Sequence, residues 1–196
     1  MRGRTASMQE QVAMAEKIEL GLPDSLELIR HDSYIEIVRK WFGAQFAFLT
    51  AFAIFWDGFL FFWYSKAFAS GNLITLLFPL LHVAVGIGLT YYVVAGWFNR
   101  THIYVSHGKM AVRHGPIPWF GNKELDTSSF KQLYTKEKIS RNRNRTVTYE
   151  THVITRDSKD LKLVGGLDTS EQALYIEQAI ETYLGIEDMP VKGGIN

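Results

Sequence analysis

The stretch that decides the fold is Phe42–Phe98, FGAQFAFLTAFAIFWDGFLFFWY SKAFASGN LITLLFPLLHVAVGIGLTYYVVAGWF. It divides into two apolar runs, Phe42–Tyr64 and Leu73–Phe98, joined by the polar link Ser65–Asn72. A helix needs about 20 mostly apolar residues to span ~30 Å of hydrocarbon, and each run is long enough. The reading is therefore an α+β membrane protein: a two-helix transmembrane hairpin with a polar domain on one side. Lys and Arg flanks set the orientation. Arg30, Arg39 and Lys40 precede the first run, Arg100, Lys109 and Arg113 follow the second, and the link holds only Lys66. Both termini are expected in the cytoplasm. Trp41, Trp63, Tyr64 and Trp97 mark the run ends as interfacial aromatics do.

Within the runs, polar and small residues fall on one face. Gly43, Ala47, Thr50, Ile54 and Asp57 share a face of the first helix by their 4-3-4-3 spacing. Thr75, Pro79, His82, Gly86 and Thr90 fall near one face of the second. Small residues let membrane helices approach closely, so Gly43, Ala47, Thr50, Gly86 and Thr90 are the expected helix–helix interface. Phe46, Phe52, Phe55, Phe59 and Phe62 are left to face lipid. Asp57 lies seven residues before Tyr64 and His82 nine after Leu73. At ~1.5 Å per residue they sit roughly 10 and 13 Å from the same end. An intramembrane carboxylate costs about 2.5–3.5 kcal/mol even on lenient scales, and an Asp57–His82 hydrogen bond would relieve that. The couple reads either as a fastener or as a proton, ion or subunit-contact site.

Outside the hairpin the pattern is β. Ser25–Ile29 and Tyr34–Val38 alternate apolar and polar residues around His31-Asp32-Ser33, which predicts a β-hairpin, with a short amphipathic helix as the competing assignment. Thr101–Ser106, Lys109–Arg113, Phe130–Lys136, Thr146–Thr155 and Leu161–Val164 read as further strands. Asp168 with Glu171 predicts a helix start, Ala173, Ile176, Ile180, Tyr183 and Leu184 its apolar stripe, and Gly185 its end. The expected layout is an N-terminal tail with a possible amphipathic helix (1–22), a β-hairpin packing on the domain (23–41), the membrane hairpin (42–98), a β domain with its helix (99–186) and a flexible tail (187–196).

The remaining signals exclude more than they assign. The 196 residues carry net charge +1, which argues against a nucleic-acid partner. The chain has no cysteine, hence no disulfide and no thiolate metal site. His102, His107, His114 and His152 show no close ligand spacing, so no metal is expected. No nucleophile elbow, phosphate loop or zincin motif is present, and no enzyme activity or cofactor is expected. Arg141, Arg143 and Arg145 form the most basic stretch and are the candidate contact to anionic lipid or an acidic partner.

Two membrane helices followed by strands and a closing helix resemble bacterial membrane proteins with a pleckstrin-homology-like domain. The stretch Phe55-Trp56-Asp57-Gly58-Phe59 with Phe62-Trp63-Tyr64 is similar to a group of bacterial two-helix membrane proteins. The resemblance implies a PH-like β-barrel or sandwich closed by the C-terminal helix, in the cytoplasmic (inner) membrane. The chain departs from it by its N-terminal hairpin. It also lacks a Lys/Arg-x-Arg pattern in the Lys109–Arg113 hairpin, so no headgroup specificity is implied. The function expected is a non-enzymatic accessory or scaffold subunit, its partners being membrane lipids and either further copies of itself or other membrane-complex subunits. A homo-oligomeric channel or ion-coupled unit using Asp57 and His82, and an anionic-lipid sensor, are the alternatives.

Overall fold

A computed structural model of the chain describes residues 21–140 and 146–195. The expected helix within Met8–Leu20 and the basic tip bearing Arg141, Arg143 and Arg145 lie outside the described residues. The chain forms two compact units: residues 40–101 with 114–120, and the remainder.

The first unit is the helical hairpin. Helix α1 spans Ala44–Ser70, α2 Leu73–Leu77 and α3 Leu80–Phe98. The link between the runs is shorter than its polarity predicts. Ser65 and Lys66 stay helical: the Ser65 hydroxyl bonds the Phe62 carbonyl at 2.7 Å and the Lys66 ammonium lies 5.6 Å from the Phe62 ring centroid. The turn comes only at Gly71, whose φ of 63° suits glycine. Asn72 then caps α2 by accepting from the Ile74 and Thr75 amides. Both apolar helices are long and apolar enough to cross a membrane, and only 17% and 11% of their most apolar windows is buried.

A seven-residue repeat sets the helix contact. Phe46, Ala53, Leu60 and Ala67 are the buried positions of α1, and Pro79, Gly86 and Val93 recur at the same interval along the second run. A strict heptad is the pattern of helices that pack side by side at a shallow crossing angle. The buried face is thus turned by one residue from the expected one. Ala47 is exposed, Gly43 is the half-buried N-cap of α1, and Thr50 is half-buried. Ile54 is 70% exposed and Phe46, expected in lipid, is 4% exposed. The reason is volume. Gly96 leaves a notch on α3, where an added Cβ would lie 1.9 Å from Phe46 Cε1. The Phe46 ring fills it, while Phe52, Phe55, Phe59 and Phe62 face outward as expected.

The second unit carries two antiparallel sheets. One has the order β1 (Leu26–Arg30), β2 (Ile35–Lys40), β3 (Arg100–Ser106), β4 (Lys109–Gly115), β5 (Lys123–Leu125). The other has the order β6 (Phe130–Ile139), β7 (Val147–Thr155), β8 (Asp160–Leu167). Neither closes into a barrel. The predicted N-terminal hairpin forms, pairing Leu28 with Ile37. Because β2 neighbours β3, the whole helical hairpin is inserted in sequence between two adjacent strands. Alternation places Ile37, Ile103, Val105, Met110 and Val112 of the first sheet in one core with Leu133, Val153 and Leu163 of the second. Helix α4 (Ser170–Leu184) joins that core through the fully buried Ala173, Ile176 and Ile180.

Two predicted boundaries shift. The N-cap of α4 is Thr169, not Asp168: its hydroxyl accepts from the Gln172 amide at 3.3 Å, and Gln172 Oε1 accepts from the Asp168 amide at 3.1 Å. That releases Asp168 to accept from Arg39 at 3.2 Å, while Arg39 also donates to the Gly166 carbonyl at 2.6 Å. The tail is pinned as well, since the Ile195 amide donates to the Thr135 carbonyl at 2.9 Å and bridges the open edge of β6.

If the Gly96 notch sets the packing, Gly96→Ala weakens the hairpin by about 1–3 kcal/mol, as overpacking does. Unfolding in mixed detergent micelles checks this. Phe46→Leu in the same chain restores part of the loss, and Gly58→Ala, with open space at its Cβ, leaves stability unchanged.

Candidate functional site

Asp57 and Thr90 meet at one level of the hairpin seam. Gly86 on α3 faces Trp56, Asp57 and Leu60 of α1: a Cβ built there would lie 2.9 Å from Asp57 Oδ1 and 3.2 Å from Leu60 Cδ1. One turn along, the Thr90 hydroxyl donates to Asp57 Oδ2 at 2.7 Å. Glycine lets the helices close, and threonine four residues on supplies the donor, since i and i+4 share a helix face.

The expected Asp57–His82 hydrogen bond is not formed among the described residues. His82 lies two turns away from Thr90 along α3 and stacks on Trp56, with centroids 5.8 Å apart. Its Nδ1 is buried with no hydrogen-bond partner among the described residues. Depth arithmetic from the run ends missed this because α1 continues beyond Tyr64 and Pro79 interrupts the second run. Of the other expected interface residues, Thr50 bonds the Phe46 carbonyl at 2.6 Å and accepts from Trp97 Nε1 at 2.8 Å.

Pro79 shapes the seam at the other end of α3. It has no N–H to offer the Thr75 carbonyl, and Trp63 Nε1 of α1 donates there instead, at 3.2 Å. The adjoining Leu76 carbonyl accepts from the Tyr64 hydroxyl at 3.2 Å. The signal was available: a proline inside an apolar run, and two donor-bearing aromatics at the matching level of the other run. Beside the seam runs a groove of about 890 Å³, walled by Asp57, Leu60, Tyr64, Val83, Thr90 and Val94 among others. Asp57 and Thr90 are its main polar groups.

In the second unit a linked set of charged side chains lies on β6–β8. His152 Nδ1 lies 2.8 Å from Asp160 Oδ1, and its Nε2 lies 3.3 Å from Glu150 Oε2. The Tyr134 hydroxyl donates to Asp160 Oδ2 at 2.7 Å. Glu150 Oε1 accepts from Lys138 at 2.8 Å and Lys162 at 3.4 Å. Burial pushes the Glu150 carboxyl up, but Lys138, His152 and Lys162 outweigh it and bring it to about 2. Burial and the Asp160 carboxylate push the Tyr134 hydroxyl well above its ordinary value. Among the described residues the cluster has acids and an imidazole, and His152 bonds carboxylates rather than a serine or threonine hydroxyl. Glu36 accepts from His102 at 2.6 Å and lies 3.6 Å from His31. His107 stacks on Tyr183 and His114 bonds Thr101, so the four histidines of the β segment are dispersed. Glu177, Glu181 and Asp188 bring carboxylate oxygens within 4.8 Å of one another. An all-oxygen set of this kind suits a hard cation, which takes six or more such ligands. Thr135 and Gln132 already hydrogen-bond Glu177 and Glu181.

Two outcomes follow. Thr90→Val removes the hydroxyl donated to Asp57 and leaves the carboxyl without that bond, at a cost of about 1–3 kcal/mol. His82→Phe keeps the ring stack and costs less, and detergent unfolding of the two variants reads the difference. A carboxyl lowered in the folded state adds stability above its unfolded value and loses it as pH falls through the folded one. For Glu150 that window runs from the ordinary 4.5 down to about 2. The full shift is worth at most ~3 kcal/mol, and less because Lys138 and Lys162 are exposed. Urea titrations by circular dichroism at both ends of the window show a smaller acid loss in Glu150→Gln than in the parent.

Compared with protein-family models and with curated proteins, the chain matches none.

Proposed function

We propose that this chain is a non-enzymatic integral protein of the cytoplasmic membrane, an accessory or scaffold subunit. Its hairpin crosses the bilayer with both chain termini on the cytoplasmic side. It associates there with itself or with a larger membrane complex, and the β domain binds protein. The observation that carries this reading is how little of the hairpin is covered. The seam buries one residue in seven of α1, and Phe48, Phe55, Phe61, Leu81 and Ile87 are 67–79% exposed. A contiguous apolar surface of that extent marks contact with lipid or protein rather than water. The helix break supports the same reading, since in hydrocarbon every backbone carbonyl must find a donor inside the protein. Trp63 and Tyr64 serve the Thr75 and Leu76 carbonyls in the turn before Pro79.

The β domain is proposed as pleckstrin-homology-like. Its support is two facing antiparallel sheets on one core with a C-terminal helix, though the sheets are not closed.

The test is native mass measurement of the chain extracted from membranes in mild detergent. Oligomers, or a co-purifying membrane subunit, support the proposal. A lone monomer that carries nothing with it overturns it, and so does a chain that stays soluble without detergent. Proton or cation flux in liposomes that disappears in Asp57→Asn replaces the scaffold reading with a transport one.

A further inference from the structure

The segment after β4, Gly115-Pro-Ile-Pro-Trp-Phe120, does not fold back on itself as a surface turn does. It runs along the end of α3. Asn99, the buried C-cap of α3, holds it with both ends of its amide: Nδ2 donates to the Ile117 carbonyl at 3.0 Å and Oδ1 accepts from the Ile117 amide at 2.7 Å. The Tyr91 hydroxyl donates to the Pro118 carbonyl. Trp119 stacks on Tyr91 with ring planes 7° apart and meets Trp41 edge-on at 5.2 Å. Phe120 stacks on the outer side of Trp119 and is 80% exposed.

Two physical features of this segment go together. The first is depth. Tyr91 precedes Phe98, the end of α3, by seven residues, or about 10 Å of helix. Helical side chains lean toward the N-terminus, so the Tyr91 hydroxyl lies deeper still. As an unbroken helix the Leu73–Phe98 run would be about 39 Å long, and the break at Pro79 shortens it, so centred on ~30 Å of hydrocarbon it overhangs by at most roughly 4–5 Å at each end. The contacts to Tyr91 therefore put the Pro118 carbonyl and the Trp119 ring several ångströms inside the hydrocarbon edge. The second is satisfaction of the backbone. Irregular chain is tolerated at that depth only where its polar groups have partners. Pro116 and Pro118 have no N–H, the Ile117 amide and carbonyl are both bonded to Asn99, and the Pro118 carbonyl is bonded to Tyr91.

We infer that the Gly115–Phe120 segment is a lipid anchor that enters the headgroup–acyl boundary beside α3 and seats the Phe120 ring among the acyl chains. The occupant of this surface is the bilayer itself. An exposed phenylalanine stacked on an interfacial tryptophan, following a Pro116–Pro118 stretch whose backbone donors are removed or bonded, is suited to lipid rather than to water. The inference rests on the membrane reading proposed above and is separable from it.

The chain has no cysteine, so single-cysteine variants need no prior engineering. Phe120→Cys, Phe55→Cys (the middle of α1) and Thr182→Cys (the exposed face of α4) are labelled with an environment-sensitive fluorophore. Each full-length chain is placed in nanodiscs of phosphatidylcholine and phosphatidylglycerol. Nitroxide lipids and aqueous iodide are then compared as quenchers. Expected is loss of most emission at positions 55 and 120 to nitroxide lipids, with 120 favouring the shallow nitroxide and 55 the deep one, and quenching of 182 by iodide alone. Iodide quenching at 120 with lipid quenching at 55 overturns the anchor and leaves the membrane reading intact. Iodide quenching at both 55 and 120 overturns the two together. Phe120 makes a ring contact but no bond that holds the segment, so its replacement leaves the Asn99 and Tyr91 hydrogen bonds in place.

Discussion

Phe46 lodged in the notch at Gly96, and Asp57 lodged opposite Gly86, are the contacts that hold the two long helices in register. Glycine at those two places lets the backbones approach, and the volume it leaves decides which side chain of α1 fills it. The polar contacts between the two long runs follow from that register. It brings the Thr90 hydroxyl to Asp57, the Trp97 indole to Thr50, and the Trp63 and Tyr64 donors to the Thr75 and Leu76 carbonyls in the turn before Pro79. A slip of one turn would separate each of these pairs, and an apolar surrounding offers them no substitute.

The β unit is organised by a different constraint. Two open sheets and one helix each have an apolar face too small to stand alone, and they bury it in one shared core. Helix α4 contributes Ala173, Ile176 and Ile180, and its N-terminal residues reach β-hairpin groups. Gln172 Nε2 donates to Ser25 at 2.7 Å and Asp168 accepts from Arg39. Those contacts tie the segment before the helical hairpin to the segment after it. Ionic partners around Glu150 lie on the outer side of the second sheet, where their strength depends on solvent and pH.

Much of the element order was legible in the sequence, because the period of apolar residues is local information. Strict alternation marked β1, β2, β3 and β4, and the 3.6-residue stripe marked α4. Two runs of apolar residues marked the long helices. Short elements with weak periodicity were missed. The three-residue strand β5 has one apolar residue and exists because β4 offers it a free edge. The tail residue Ile195 is pinned to β6 for the same reason. The face of α1 was misread by one residue because a small-and-polar stripe was used where a heptad ruled. Phe46 has the look of a lipid-facing residue until the gap at Gly96 is known.

The sequence alone determined that Asp57 lies deep in an apolar helix and needs a donor, for that follows from composition and spacing. It also determined that Pro79 must leave a carbonyl unserved, since proline has no amide hydrogen. Only the tertiary structure decided who answers: Thr90 rather than His82 for Asp57, Trp63 for the Thr75 carbonyl. The reason is that local pattern fixes what each helix lacks, whereas which partner arrives depends on axial register. That register is set by how bulky side chains of one helix fit the gaps of the other, a property of two segments together and of neither by itself.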